Sequence, residues 1–225
     1  MASSGLFQCE DPEMWLRVSD IYWDVVSIKG SKQKKLLQLD RWYQEALPSS
    51  ISARPHRFLS RDELIKLMEW KLLRGKFRPR LQQLVSSNPP ETVESCTGQA
   101  FRLLPNVSAA LDELCQLKGI GPATASAVLA AGAPELTAFM ADEAVESIPG
   151  LTPVQYTSKH YLRFLEALRQ KAATLSKASG DTWSPHRLEL CLWAWKVAQK
   201  LCPDRLDALE KGDVEGRQTK KQKTK

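Results

Sequence analysis

The tightest constraint in the chain is Gly119-Ile120-Gly121, two glycines around one apolar residue with a helical pattern on each side. Ahead of it, Leu111, Leu114 and Leu117 recur at three-residue intervals, and Asn106 or Ser108 supplies an N-cap. Behind it, Pro122 suits a first helical turn, and Thr124, Ala125, Val128 and Leu129 form a compact apolar face. Gly132 followed by Pro134 then stops that helix. The pattern predicts a helix, a hairpin and a helix over residues 108–131. Glycine adopts positive φ freely and lets another backbone come close, so the hairpin should expose consecutive N–H groups where a helix opens. Those donors and the positive end of the helix dipole make an anion site with Lys118 beside it, and a phosphate would fit there. Ile120 should plug the gap between the two helices.

Written out, Leu-x-x-Leu-x-Gly-Ile-Gly-x-x-Thr-Ala-x-x-Val-Leu from Leu114 to Leu129 resembles the helix-hairpin-helix signature. In that family the hairpin backbone grips a DNA phosphate, which implies a DNA-binding role for Lys118, Gly119, Ile120, Gly121 and Pro122. The following residues, Phe139-Met-Ala-Asp142-Glu-Ala-Val145-Glu-Ser-Ile148, resemble the loop that carries the catalytic aspartate in helix-hairpin-helix DNA glycosylases of the HhH-GPD type. The chain thus resembles a divergent member of that superfamily, with the specific likeness confined to residues 106–150.

The resemblance implies an all-α, DNA glycosylase-like domain with the hairpin near its middle and a role in DNA repair on double-stranded DNA. It implies that Asp142 stabilises the positive charge developing on a sugar as a flipped base departs. Bifunctional members carry a Schiff-base lysine two residues after the second glycine, a position held here by Ala123. The histidine and arginine that follow the aspartate in several branches are replaced by Ala144 and Ser147. The implied enzyme is a monofunctional N-glycosylase without lyase activity. The residues themselves leave other readings open. Asp142 is also a good N-cap for the helix containing Val145 and Ile148. The chain could equally be a noncatalytic DNA-binding or scaffold protein that keeps the hairpin, or a helical surface for RNA or protein. A concave pocket with Asp142 at its wall would separate the first reading from the others.

Elsewhere the pattern is helical. Trp15, Val18, Tyr22 and Val25 form one stripe, and Thr92 to Leu104 reads as a helix ended by Pro105. Ser60-Arg-Asp-Glu63 is a capping box before Leu64, Leu67, Met68 and Lys71, with Gly75 as the stop. The stretch Lys71 to Arg80 then sets five basic residues, Lys71, Arg74, Lys76, Arg78 and Arg80, around Phe77 and Pro79, with Lys76, Arg78 and Arg80 the candidate DNA contacts. Such interleaving can hold phosphates and stack on a base, although basic residues also suit a helix C-terminus. A helix extends from Ser158 toward Leu175, residues 176–182 read as a loop, and Ser184-Pro185 opens a helix apolar nearly all round.

The net charge of +6 is distributed unevenly. Residues 217–225 hold five of the 32 basic residues, so the remaining body has 27 basic residues against 26 acidic ones, near +1. Bulk charge is therefore no argument for DNA binding. The expected organisation is one helical domain over residues 1–210 and a disordered basic tail over 211–225, read as a nuclear localisation signal or a nonspecific nucleic-acid arm. No apolar run reaches the roughly 18 residues of a membrane span. Five cysteines without a Cys-x-x-Cys pair suit a reducing compartment, and three scattered histidines suggest no metal. A soluble, nuclear monomer without cofactor, metal or membrane contact is expected.

Overall fold

The computed structural model describes residues 5–31 and 35–209, so the basic tail expected over 211–225 lies outside the described residues. The fold is all-α, with no strand among the described residues. In chain order the helices are α1 (Pro12–Asp20), α2 (Tyr22–Gly30), α3 (Leu36–Arg41), a π turn (Trp42–Ala46) and α4 (Leu47–Ser52). They continue as α5 (Arg61–Arg74), α6 (Pro79–Ser86), α7 (Pro90–Leu103), α8 (Val107–Leu114) and α9 (Pro122–Gly132). The last are α10 (Asp142–Glu146), α11 (Ser158–Ser179) and α12 (Pro185–Leu201). No helix among the described residues is long and apolar enough to cross a membrane.

Local chemistry sets most boundaries. The Ser60 side chain accepts from the Glu63 N–H and the Glu63 carboxylate accepts from the Ser60 N–H, so the capping box is complete, and Gly75 ends α5. Asn106 caps α8 and Ser184 caps α12, each through its side-chain oxygen. One boundary differs from expectation. Residues 176–179, expected in a loop, belong to α11, which ends only where Gly180 adopts φ of +76°. The Ser176 hydroxyl accepts from the Trp183 N–H at 2.9 Å, so this residue anchors the following turn from within the helix.

The helix α12 is central, touching α1, α2, α10 and α11, as its all-round apolar sequence requires. Yet the core is not wholly apolar. Arg74, at the end of α5, is 1% exposed and makes a bidentate pair with Glu189 of α12 at 2.8 and 3.3 Å. Its guanidinium carbon lies 4.3 Å from the Trp193 ring centre, and its Nε is 3.7 Å from the Asp40 carboxylate of α3. Asp40 in turn accepts from the Tyr22 hydroxyl and the Trp70 indole, each at 2.7 Å. Gln44 extends this network from Tyr22 to His186, whose Nε2 donates to the Gln44 amide oxygen at 2.7 Å. Burial, with Arg74 adding to it, pushes the His186 pKa down to about 3, so this ring stays neutral.

One guanidinium faces two carboxylates in this cluster. Burial raises the Glu189 pKa from 4.5 to about 7 against the opposing pull of Arg74, and burial also raises that of Asp40. Between those two values the unfolded chain releases the Glu189 proton while the folded cluster retains it, so folding stability must fall as pH rises through this window. Glu189→Gln should remove that slope, worth at most about 3 kcal/mol between pH 4.5 and 7. Urea unfolding of wild type and variant at pH 5 and 7.5 checks this, and parallel losses of stability in the two proteins would refute it. Arg74→Met, which leaves two buried carboxylates without their cation, should cost about 3–5 kcal/mol at neutral pH in the same assay.

Candidate functional site

The two hairpin glycines do different work. Gly119 has φ of +79°, and a Cβ placed there would lie 2.8 Å from the Leu84 Cβ and 3.1 Å from the Val85 nitrogen. It is therefore required by its own conformation and by the close approach of α6. Gly121 has φ of −116° and ψ of −178°, extended values open to any residue, and a Cβ there would meet nothing within 4 Å. Its missing side chain leaves room for something outside the chain. Ile120 between them is 6% exposed and packs into the core, as expected.

Expected as consecutive, the hairpin donors instead alternate. The Lys118 N–H donates to the Asn88 side-chain oxygen at 2.9 Å, and Asn88 Nδ2 returns a bond to the Lys118 carbonyl at 3.0 Å. The Ile120 N–H bonds the Leu117 carbonyl at 3.1 Å. Among the described residues, the N–H groups of Gly119, Gly121 and Ala123 have no acceptor. They surround the opening of α9, whose dipole adds positive potential.

The second half of the site is Asp142. It is the first residue of α10 and makes no capping bond, and Ala141 occupies the cap position, so the N-cap reading of this aspartate is corrected. Its carboxylate turns instead to the Tyr156 hydroxyl, 2.9 and 2.8 Å from its two oxygens, and to Lys76 Nζ at 2.7 Å. That bond and charge raise the Lys76 pKa, while burial and then the same carboxylate raise that of Tyr156. The approach to Asp142 is fixed from both sides. The Ser126 hydroxyl of α9 accepts from the Met140 N–H at 2.9 Å, and the Tyr161 hydroxyl of α11 donates to the Ala138 carbonyl at 3.0 Å.

Hairpin and aspartate meet at one cavity of about 250 Å³. Gly119, Gly121 and residues 122–124 form one wall, and Lys71, Gly75, Lys76 and Arg78 from the end of α5 and its connection to α6 form another. Asp142, Glu143 and Tyr156 stand on the cavity lining, and Phe139, Arg74 and Trp193 complete it from the core. Arg74 Nε and Trp193 Nε1 are buried donors without a hydrogen bond among the described residues, Arg74 Nε being ion-paired to Asp40 at 3.7 Å. The volume falls just below the roughly 300–1,000 Å³ of drug-sized ligand sites, a scale suited to a small planar ring. Phe77, between the lining residues Lys76 and Arg78 in the chain, is 72% exposed and stands outside the lining.

Of the residues expected at the site, Gly119, Gly121, Pro122, Lys76, Arg78 and Asp142 line this cavity. Ile120 serves the core, and Lys118 and Arg80 are exposed outside the lining. Ala123 also lines it, so the position without a lysine does face the cavity. Sequence reasoning missed Tyr156, Asn88 and Ser126. Of the five basic residues expected between Lys71 and Arg80, Lys71, Lys76 and Arg78 line the cavity, as does Arg74, which is buried in the core.

A family model for the helix-hairpin-helix motif matches residues 107–131, which supports nucleic-acid binding by this part of the chain. No curated protein and no solved structure shows a significant match to the chain.

The glycine geometry yields a clean test of the hairpin. Gly121→Ala should cost no more than about 1 kcal/mol of stability, the size of an N-cap change. It should nonetheless weaken duplex binding and lower the salt slope of log K by about one, the signature of one lost phosphate contact. Gly119→Ala should destabilise the fold by about 1–3 kcal/mol through its backbone conformation and the Leu84 contact. Thermal melting with a salt series of binding isotherms separates the two. An unchanged slope in Gly121→Ala would remove the hairpin as the DNA grip.

Proposed function

We propose that this chain binds duplex DNA through the hairpin and admits an everted nucleobase to the cavity, where it acts as a DNA N-glycosylase. The single observation that carries this reading is the position of Asp142, a carboxylate on the lining of a cavity that the hairpin also lines. A phosphate on the free N–H groups of Gly119, Gly121 and Ala123 would bring its own nucleotide to that opening. A base turned into the cavity would meet the Phe139 and Trp193 rings.

In this arrangement the Asp142 carboxylate stabilises the cationic sugar as the bond from C1′ to the base breaks, and water completes the hydrolysis. Tyr156 and Lys76 hold the carboxylate in place. They also compete with the sugar for its charge, and this observation favours the second reading, a DNA-binding protein without the chemistry.

The two readings part on one experiment. Duplexes each carrying a single lesion are incubated with the protein, and released base is measured beside duplex affinity. The glycosylase reading expects release from at least one lesion, and loss of that release in Asp142→Asn with duplex binding retained, because the missing charge acts on the transition state. Tight binding with no release across the panel would establish the binder instead.

A further inference from the structure

The anion that Lys76 and Tyr156 hold in the free protein is the chain's own. Lys76 Nζ lies 2.7 Å from one Asp142 oxygen, and the Tyr156 hydroxyl donates to the same carboxylate, 2.9 and 2.8 Å from its two oxygens. The three residues come from the α5–α6 connection, the start of α10 and the connection between α10 and α11, so no local requirement of the chain brings them together. Their exposure is unequal. The Lys76 side chain is 64% exposed and that of Asp142 only 16%, so a ligand from outside reaches the cation more readily than the carboxylate. Arg78 stands beside them, its guanidinium carbon 5.2 Å from the Tyr156 ring centre and, among the described residues, without an ion pair of its own.

We infer that Lys76, Tyr156 and Arg78 form a binding site for a DNA phosphate, and that the Asp142 carboxylate occupies this site until a duplex displaces it. The exchange rests on the proposed placement of DNA at the cavity, but it needs no base release.

A phosphodiester resembles the carboxylate it replaces. Each carries one negative charge on two terminal oxygens, so Lys76 and the Tyr156 hydroxyl can donate to either. The carboxylate has the advantage of being tethered. A strand anchored on the free N–H groups of Gly119, Gly121 and Ala123 offsets this, because its phosphate is then tethered too and gains Arg78, which makes no ion pair with the carboxylate. An ion pair whose cation is this exposed is weak and screened by salt, so the cation changes partner at little cost. The consequence falls on Asp142. Once Lys76 and Tyr156 turn to the strand, the carboxylate keeps its charge for a cationic group forming in the cavity, and this happens only with DNA in place.

The test measures duplex affinity at one salt concentration for the full chain and for Asp142→Asn, Lys76→Gln and the double variant, each checked by its melting temperature. Asp142→Asn removes the competing carboxylate and should tighten binding by about two- to fivefold, the worth of one exposed ion pair. The same substitution added to Lys76→Gln should give a smaller gain, because the cation for which carboxylate and phosphate compete is then missing. Equal gains with and without Lys76 would mean that Asp142 acts on DNA through its charge alone, and would overturn the exchange. Weaker binding by Asp142→Asn would overturn it as well, making the carboxylate a support for Lys76. One measurement does not depend on how the variants fold. In isotope-labelled wild type the carboxyl carbon resonance of Asp142 should move on saturation with duplex, and a resonance left in place overturns the exchange. A wild type that binds duplex but fails these tests leaves the placement of DNA intact, whereas one that binds no duplex removes placement and exchange together.

Discussion

The burial of one guanidinium organises this molecule. Arg74 cannot be left alone in the core, so α12 must present Glu189 and α3 must present Asp40 within its reach. Those demands fix where the end of α5 lies relative to both helices. Of the next residues of the chain, Gly75, Lys76 and Arg78 leave from that fixed point and line the cavity. Arg74 and Trp193, packed together at 4.3 Å, help to close the same cavity from the core.

The site depends on elements far apart in the chain. The hairpin is pinned by the Asn88 side chain, which imitates a backbone partner for Lys118 and thereby directs the remaining N–H groups outward. The Asp142 segment is pinned by Ser126 and Tyr161. In both places a buried polar side chain substitutes for the regular hydrogen bonding that an irregular segment lacks. This keeps the hairpin and the carboxylate on one cavity lining.

Charge of both signs lines the opening. Lys76 and Arg78 share the lining with Asp142 and Glu143, and Lys76 Nζ lies 2.7 Å from the Asp142 carboxylate. A polyanion approaching this face meets the free N–H groups of the hairpin and the Arg78 cation beside them.

Much of this was legible in the sequence wherever a structural requirement is local. The capping box at Ser60, the caps at Asn106 and Ser184, and the hairpin around Ile120 all follow from backbone donors and side chains within a few residues of one another. Asp142 could be singled out, but not its role. Whether it capped α10 or faced a cavity depended on Tyr156 and Lys76, which reach it from separate segments. Similarly, the two glycines look alike in sequence and differ only because α6 crowds Gly119 and nothing crowds Gly121. The sequence by itself determined an all-helical chain and a hairpin with free donors, because helix period and capping act over one or two turns. Only the tertiary structure decided that Lys71, Asp142 and the hairpin share one cavity, because burial and ion pairing depend on which distant helices pack together.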